Sequence, residues 1–377
     1  MTYQRRRLAA RAFERVARFV TRLQAWPQAL TPPAFRLLQI GSAFWQSRAL
    51  YVAAKMDIAT MLGQRTLSAT ELAEAVHAHP DSLYRLMRLL VAMDVFDEPS
   101  PRNFRNNKLS AALRSDRPGS VRAMALMHNS PEMSEPWFTQ LEAGIRSGTP
   151  PFQLAHGQTL FDYMDTHADF DAQFGAAMDS VEALAGDSFA TEFDWSAFDR
   201  VIDVGGSKGA KSLAILKRNK RLTALVVDRA QIVEQAERYW REHADAGTLQ
   251  PALSRLSFVA GDVFTNIPAA ESSRDVYLLS AVLHCFDDVT AQRALRNVAR
   301  AAASAGATIA VLELVMPDCA DIASASFDMQ MLMGTRGRER TRNEWDALFA
   351  MSGVQREETV YLMSFGKIMV LRPMADS

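Results

Sequence analysis

Residues 199–212 read DRVIDVGGSKGAKS. An apolar run closes on an acid, and a loop of glycines, serine and lysine follows at once, the pattern of a strand turning into a helix. The spacing of that loop decides which ligand it suits. A Walker A loop ending on Lys211 and Ser212 needs a glycine at 210, and Ala210 stands there with Gly209 one place early. A dinucleotide fingerprint needs its second glycine at 207 or 208, where Ser207 and Lys208 stand. What remains is an acid followed by two separated glycines: Asp203, Gly205 and Gly209.

Beyond the loop, the short β-rich runs LTALVVD, LSFVAGDV, DVYLLSAVLH and ATIAVLELV alternate with helical stretches such as KSLAILKRN and AQRALRNVARAA. Strand alternating with helix predicts an α/β fold, a parallel sheet covered on both faces, with ligands beyond the carboxyl ends of the strands. Asp228 closes the second strand and Asp262 follows the third. Carboxylates at three successive exits could meet an ammonium group, a ribose diol and an adenine amine, which outlines an adenosyl ligand without phosphate. S-adenosylmethionine fits that outline. The same acids could instead only cap helices and hold turns.

Upstream the period is helical. Residues 119–184 carry Met124, Met127, Trp137, Phe161, Tyr163, Met164, Phe174 and Met178, which read either as core or as the lining for a flat ligand. Residues 31–99 hold a long apolar segment over 34–62, two short helices with Ser68 and Asp81 at N-cap positions, and the candidate ribbon VFDEP…NFRNNKLS. This winged-helix outline raises a DNA-binding regulator as one hypothesis. The helix after Pro80 argues against it, because it offers Leu83, Leu86, Met87, Leu89 and Leu90 where polar base-reading side chains would be needed.

Residues 1–30 place Arg5, Arg6, Arg7, Arg11, Arg15, Arg18 and Arg22 around apolar side chains at helical spacing. A basic amphipathic helix of this kind suits a membrane surface or RNA, or equally a docking role on the protein body or a second subunit. The expected domains are thus an extension over 1–30, a helical domain over 31–184 and a ligand-binding domain over 185–377.

Composition sets the outer bounds. The chain has 377 residues with 42 Lys+Arg against 43 Asp+Glu, so bulk attraction to nucleic acid or membrane is not expected. Cys285 and Cys319 cannot form a disulfide framework, and with no membrane-length apolar run the expected location is the cytoplasm. No His, Cys and carboxylate cluster has metal-ligand spacing, so no metal is expected.

Several of these stretches together resemble one family, the two-domain S-adenosylmethionine-dependent small-molecule O-methyltransferases of plant caffeate and flavonoid and bacterial polyketide and phenazine metabolism. The likeness runs over about 34–372 through SRALYVAAKMDIATML, LYRLMRLLVAMDVF, FGAAM, VIDVGGSKG, VLHCFDD and GRERTRNEWDALFAMSG. It implies a Rossmann-like, seven-stranded class I methyltransferase domain preceded by an all-α winged-helix-like dimerisation domain, assembled as a homodimer. It implies His284 as general base, flanked by Glu313 and Glu339, a role suited to a neutral imidazole. It assigns the cofactor to Asp203, Gly205, Gly209, Asp228, Asp262, Val263 and Ser280, and a small aromatic acceptor to Phe161, Met164, Phe174 and Met178 near His284. The acceptor atom is a hydroxyl oxygen, with carboxylate or ring nitrogen as variants. The chain departs from the family pattern at Ser207, Ser280, Cys285 and Phe286, where glycine, lysine, aspartate and tryptophan are usual. Some members bind the cofactor yet catalyse cyclisation, decarboxylation or hydroxylation, and this is the rival activity; retention of His284, Glu313 and Glu339 favours transfer.

Overall fold

The computed structural model describes residues 9–13, 16, 31–243, 249–319, 321–364 and 366–374. The greater part of the basic segment over 1–30 lies outside them. The chain divides into two compact units, one ending at Ala185 and the other continuing from Gly186.

The first unit is helical. Its long apolar segment forms two helices rather than one, α1 (Pro33–Lys55) and α2 (Ile58–Leu62). The break falls at Asp57, which adopts a left-handed φ of 53°, and its carboxylate accepts hydrogen bonds from Thr60 and Ser115 and pairs with Arg122 at 3.4 Å. Then come β1 (Leu67–Ser68), α3 (Ala69–Ala75), α4 (Pro80–Ala92), β2 (Phe96–Ser100) and β3 (Asn103–Asn106). Ser68 caps α3 as expected: its hydroxyl accepts the Glu71 N–H while the Glu71 carboxylate accepts the Ser68 N–H at 2.7 Å. Asp81 is not the cap of α4. Pro80 occupies the first helical position, where its fixed φ is preorganised and its missing N–H is no loss, so the cap moves back to His79. The strands form an antiparallel sheet in the order β1-β3-β2, and α4 buries Leu83, Met87 and Leu90 beneath it. This is a helix-and-ribbon outline whose would-be reading helix spends its apolar face on its own core.

Further helices follow: α5 (Arg122–His128), α6 (Pro131–Thr139), α7 (Leu141–Ser147), α8 (Pro151–His156), α9 (Leu160–Thr166) and α10 (Ala168–Ala185), the last packed along α5. On α1, by contrast, Phe35, Leu37, Leu38, Ile40, Phe44 and Trp45 stay exposed. Isolated exposed apolar residues are ordinary, but six on one helix make a patch.

The second unit is a three-layer α/β domain. Its elements are α11 (Ser188–Glu192), β4 (Arg200–Val204), α12 (Ala210–Arg218), β5 (Thr223–Asp228), α13 (Ala230–His243), α14 (Gln250–Leu253), β6 (Leu256–Ala260), β7 (Asp275–Ser280), α15 (Asp288–Ala303), β8 (Thr308–Met316), α16 (Ile322–Gly334), β9 (Arg340–Thr341), α17 (Arg342–Met351), β10 (Val354–Tyr361) and β11 (Gly366–Pro373). Seven strands run β6-β5-β4-β7-β8-β11-β10, and β9 adds a short parallel pairing to the end of β8. The strands from β4 to β8 are parallel, and β11 inserts antiparallel between β8 and β10.

The period of two explains why the central strands are apolar throughout. Ile202, Val204, Tyr277 and Leu279 face Leu295, Val298 and Trp345, whereas Val201, Val276 and Leu278 face Leu213, Leu216 and Trp195. From β4 the chain winds one way to β5 and β6, then returns to place β7 on β4's other side. That reversal opens a crevice beyond the carboxyl ends of β4 and β7, the place where an open α/β sheet takes its ligand.

Candidate active site

The loop after β4 lies at this crevice. Gly205 has a φ of 74°, and a Cβ there would stand 2.8 Å from a methyl of Val282, just beyond β7. Only glycine lets the backbone pass so close to the β7 exit. Gly209 opens α12, and its carbonyl takes the Leu213 N–H. The Asp203 side chain is buried: its Oδ2 accepts the hydroxyl of Ser212 on α12 at 2.7 Å, and a Cβ on Gly206 of the loop would stand 2.6 Å from its carboxyl carbon.

Asp228, at the end of β5, accepts the Ser207 N–H at 2.9 Å on one oxygen and the Arg229 N–H at 2.8 Å on the other. Each carboxylate oxygen keeps a second lone pair for a ligand hydroxyl. The exposed Asp262, beyond β6, accepts the Phe264 N–H, and the Val263 carbonyl is held by Asn297. Ser280 ends β7 beside Leu312 of β8. Acids stand at three neighbouring strand exits, two of them with unused acceptor capacity. This set of acceptors fits a phosphate-free adenosyl group carrying positive charge, and it would repel a pyrophosphate. Among the described residues no group of His, Cys, Asp and Glu could hold a metal ion.

The next constellation stands just past β7, where Ala281 takes a left-handed φ of 54° and a short 3₁₀ turn over Leu283–Cys285 presents His284. The His284 side chain is 18% exposed. Its Nδ1 lies 2.9 Å from Glu339 Oε1 and 3.6 Å from Glu313 Oε2. Both glutamates are buried at 3% exposure, so their charges act in a poorly solvated setting. Glu313 Oε1 accepts the backbone N–H groups of Val282, Leu283 and His284 at 3.0, 2.9 and 3.4 Å, fastening β8 to the turn. Among the described residues the second oxygen of each glutamate has no hydrogen-bond partner.

Burial opposes the charged imidazolium, yet Glu313, the adjoining Cys285 and Glu339 together outweigh it and hold His284 well above 6.5. Burial likewise pushes the Glu313 carboxyl up, partly offset by His284 and reinforced by Glu339. With Nδ1 bound to a carboxylate, the ring carries its hydrogen there and leaves the Nε2 lone pair for chemistry when neutral.

The structure therefore brings His284, Glu313 and Glu339 together and sets Asp203, Asp228, Asp262, Gly205, Gly209, Val263 and Ser280 at the exits of one sheet. Phe161 and Met164 lie on α9, and Phe174 and Met178 on α10, all partly or largely accessible within the helical unit. Sequence reasoning missed three contributors. Asp328 on α16 accepts the Glu339 N–H at 2.8 Å, Gly337 lies against the histidine turn, and Arg340 is fully buried beside it. The last two stand inside the GRERT stretch, where only Glu339 drew attention.

A model of the O-methyltransferase domain matches residues 138–355, and one of the O-methyltransferase dimerisation domain matches residues 38–116. The phenazine O-methyltransferase PhzM of Lysobacter antibioticus is 31% identical over 338 residues, covering 89% of this chain and 95% of its own. Among solved structures, LaPhzM superposes with a TM-score of 0.80 at 30% identity, over 91% of this chain and 100% of that one. An O-methyltransferase of neocarzinostatin biosynthesis, solved with S-adenosylmethionine and 2-hydroxy-5-methyl naphthoic acid, gives a TM-score of 0.71 at 28% identity, over 87% of this chain and 96% of that one.

Proposed function

Because the chain belongs to the O-methyltransferase family that carries a dimerisation domain, and is an S-adenosylmethionine-dependent methyltransferase, we propose that it methylates a hydroxyl of a small aromatic metabolite with His284 as general base. The observation that carries this reading is the 2.9 Å contact between His284 Nδ1 and Glu339, with Glu313 at 3.6 Å. Bound S-adenosylmethionine supplies an electrophilic methyl group on a positively charged sulfur. The acceptor hydroxyl must lose its proton as its oxygen attacks, and His284 Nε2 receives it. Two carboxylates stabilise the imidazolium so formed, which makes the ring a stronger base than a solvated histidine. The cost is that more of the resting enzyme carries the proton, so transfer rises with pH through a limb above 6.5.

We assign cofactor binding to Asp228 for the ribose diol, Asp262 and Val263 for the adenine, Gly205, Gly209 and Ser280 for close approach, and Asp203 for holding the loop. Phe161, Met164, Phe174 and Met178 are assigned to the flat acceptor. The exposed apolar face of α1 supports a homodimer.

The test is incubation with methyl-tritiated S-adenosylmethionine and a panel of phenols, aromatic acids and N-heterocycles. Label in an O-methylated product is expected. Label only on nitrogen or carboxylate would move the acceptor class, and consumption of a panel member without label would establish the non-methylating rival.

A further inference from the structure

Arg340 is buried completely, at 0% exposure, although it stands between a glutamate and a threonine in a charged stretch. A guanidinium has five N–H donors in a rigid fork and tolerates burial only if they are answered. Here all five are. Nε donates to Asp288 at 2.9 Å, and Nη1 to the Leu283 carbonyl at 3.1 Å and the Arg338 carbonyl at 3.5 Å. Nη2 donates to the Phe286 carbonyl at 2.8 Å and stands 2.8 Å from Asp288 Oδ1 as an ion pair. The guanidinium carbon lies 5.1 Å from the centre of the Trp345 ring.

Two of those acceptors bracket the base. Leu283 immediately precedes His284 and Phe286 closes the turn after Cys285, so one planar cation spans the peptide segment that carries the imidazole. Its neighbours engage the same segment: the Arg338 N–H donates to the His284 carbonyl at 2.9 Å, and Glu339 meets the ring. The pairing of β9 with β8 places Arg340 opposite Val315, which brings Glu339 and Glu313 to the same imidazole. We infer that Arg340 is a positioning residue: its fork sets the His284 turn and thereby the direction of Nε2 and the Nδ1 contact with Glu339. This rests on the proposed role of His284. A lysine keeps the charge but cannot reach both carbonyls and Asp288 at once.

Arg340→Lys tests this through three readings. S-adenosylhomocysteine affinity by calorimetry and KM are expected to stay within about twofold, while kcat falls on the order of 100-fold, the scale of a misplacement near 1 Å. The His284 imidazole, followed by NMR and assigned by difference with His284→Ala, is expected to titrate lower than in the parent as its carboxylate contacts loosen. Loss of overall packing alone would not separate kcat from KM or move that titration. Parental kcat and titration in Arg340→Lys would overturn the inference. If that variant does not fold, Asp288→Asn decides: its carboxylate is half-exposed and holds the outer side of the fork, so a smaller change in the same direction supports the inference and parental values overturn it. If the parent enzyme transfers no methyl group but the titration still moves, His284's role as base fails while the placement of the turn by Arg340 stands.

Discussion

Gly337→Ala isolates the geometry of the proposed base, His284, from its chemistry. A Cβ built on Gly337 would stand 1.9 Å from the His284 carbonyl oxygen and 2.5 Å from the Cys285 carbonyl carbon. Both neighbours are backbone and cannot rotate away, so reaching even 3.0 Å requires the two segments to part by about 1.1 Å. The Arg338 N–H to His284 carbonyl bond and the 2.9 Å contact of Nδ1 with Glu339 span that gap. Separation on this scale breaks the first and takes the second beyond hydrogen-bond range. Overpacking of this kind destabilises by about 1–3 kcal/mol, which leaves most domains folded. A displacement near 1 Å at a reacting group costs about 100-fold in rate. The assay is transfer of labelled methyl at saturating substrate, with S-adenosylhomocysteine affinity and thermal midpoint measured on the same sample. A fall in kcat of about that size with affinity retained is expected. A folded Gly337→Ala enzyme with parental kcat would refute the reasoning, because the turn would then be free to move without consequence.

Glu313→Gln keeps an acceptor for the three N–H groups of the turn but removes a carboxylate that raises the His284 pKa. If, as proposed, the neutral ring is the form that accepts the proton, the acid limb of kcat/KM moves to lower pH; an unmoved limb would mean that another group governs it. The linked stability follows the same sign: a raised histidine favours the fold below its unfolded value near 6.5 and the contribution is lost as pH rises through the folded value, so chemical denaturation of Glu313→Gln should show less of this dependence. Asp228→Ala removes the acceptors proposed for the ribose diol, and a charged hydrogen bond contributes about 1.5–3 kcal/mol, so S-adenosylhomocysteine should bind roughly 10- to 200-fold more weakly by calorimetry. Unchanged affinity would leave Asp228 as a loop anchor to Ser207 only.

The sheet was legible because its central strands are buried on both faces and read as apolar runs between glycine-rich exits. The hairpin of β10 and β11 was less so. β10 reads VQREETVY, an edge strand whose outward residues are charged, and only the resemblance supplied the seventh strand. The break between α1 and α2 escaped periodicity because one aspartate in a left-handed conformation suffices to make it. In the site, His284 lies 29 and 55 residues from its two glutamates, and their meeting depends on the pairing of β9 with β8, a long-range contact with no local pattern. Arg340 and Gly337 stayed hidden for related reasons: a charge in a charged stretch reads as solvated, and a lone glycine does not reveal what backbone approaches it. Both became visible only when the segment after α16 was placed along the histidine turn.

The most direct test of the account is His284→Ala, assayed for labelled methyl transfer alongside S-adenosylhomocysteine calorimetry. Loss of the proton acceptor should lower transfer roughly 100- to 10,000-fold while the nucleoside binds as tightly as before. Undiminished transfer, or a loss of affinity equal to the loss of rate, would contradict a base at this position.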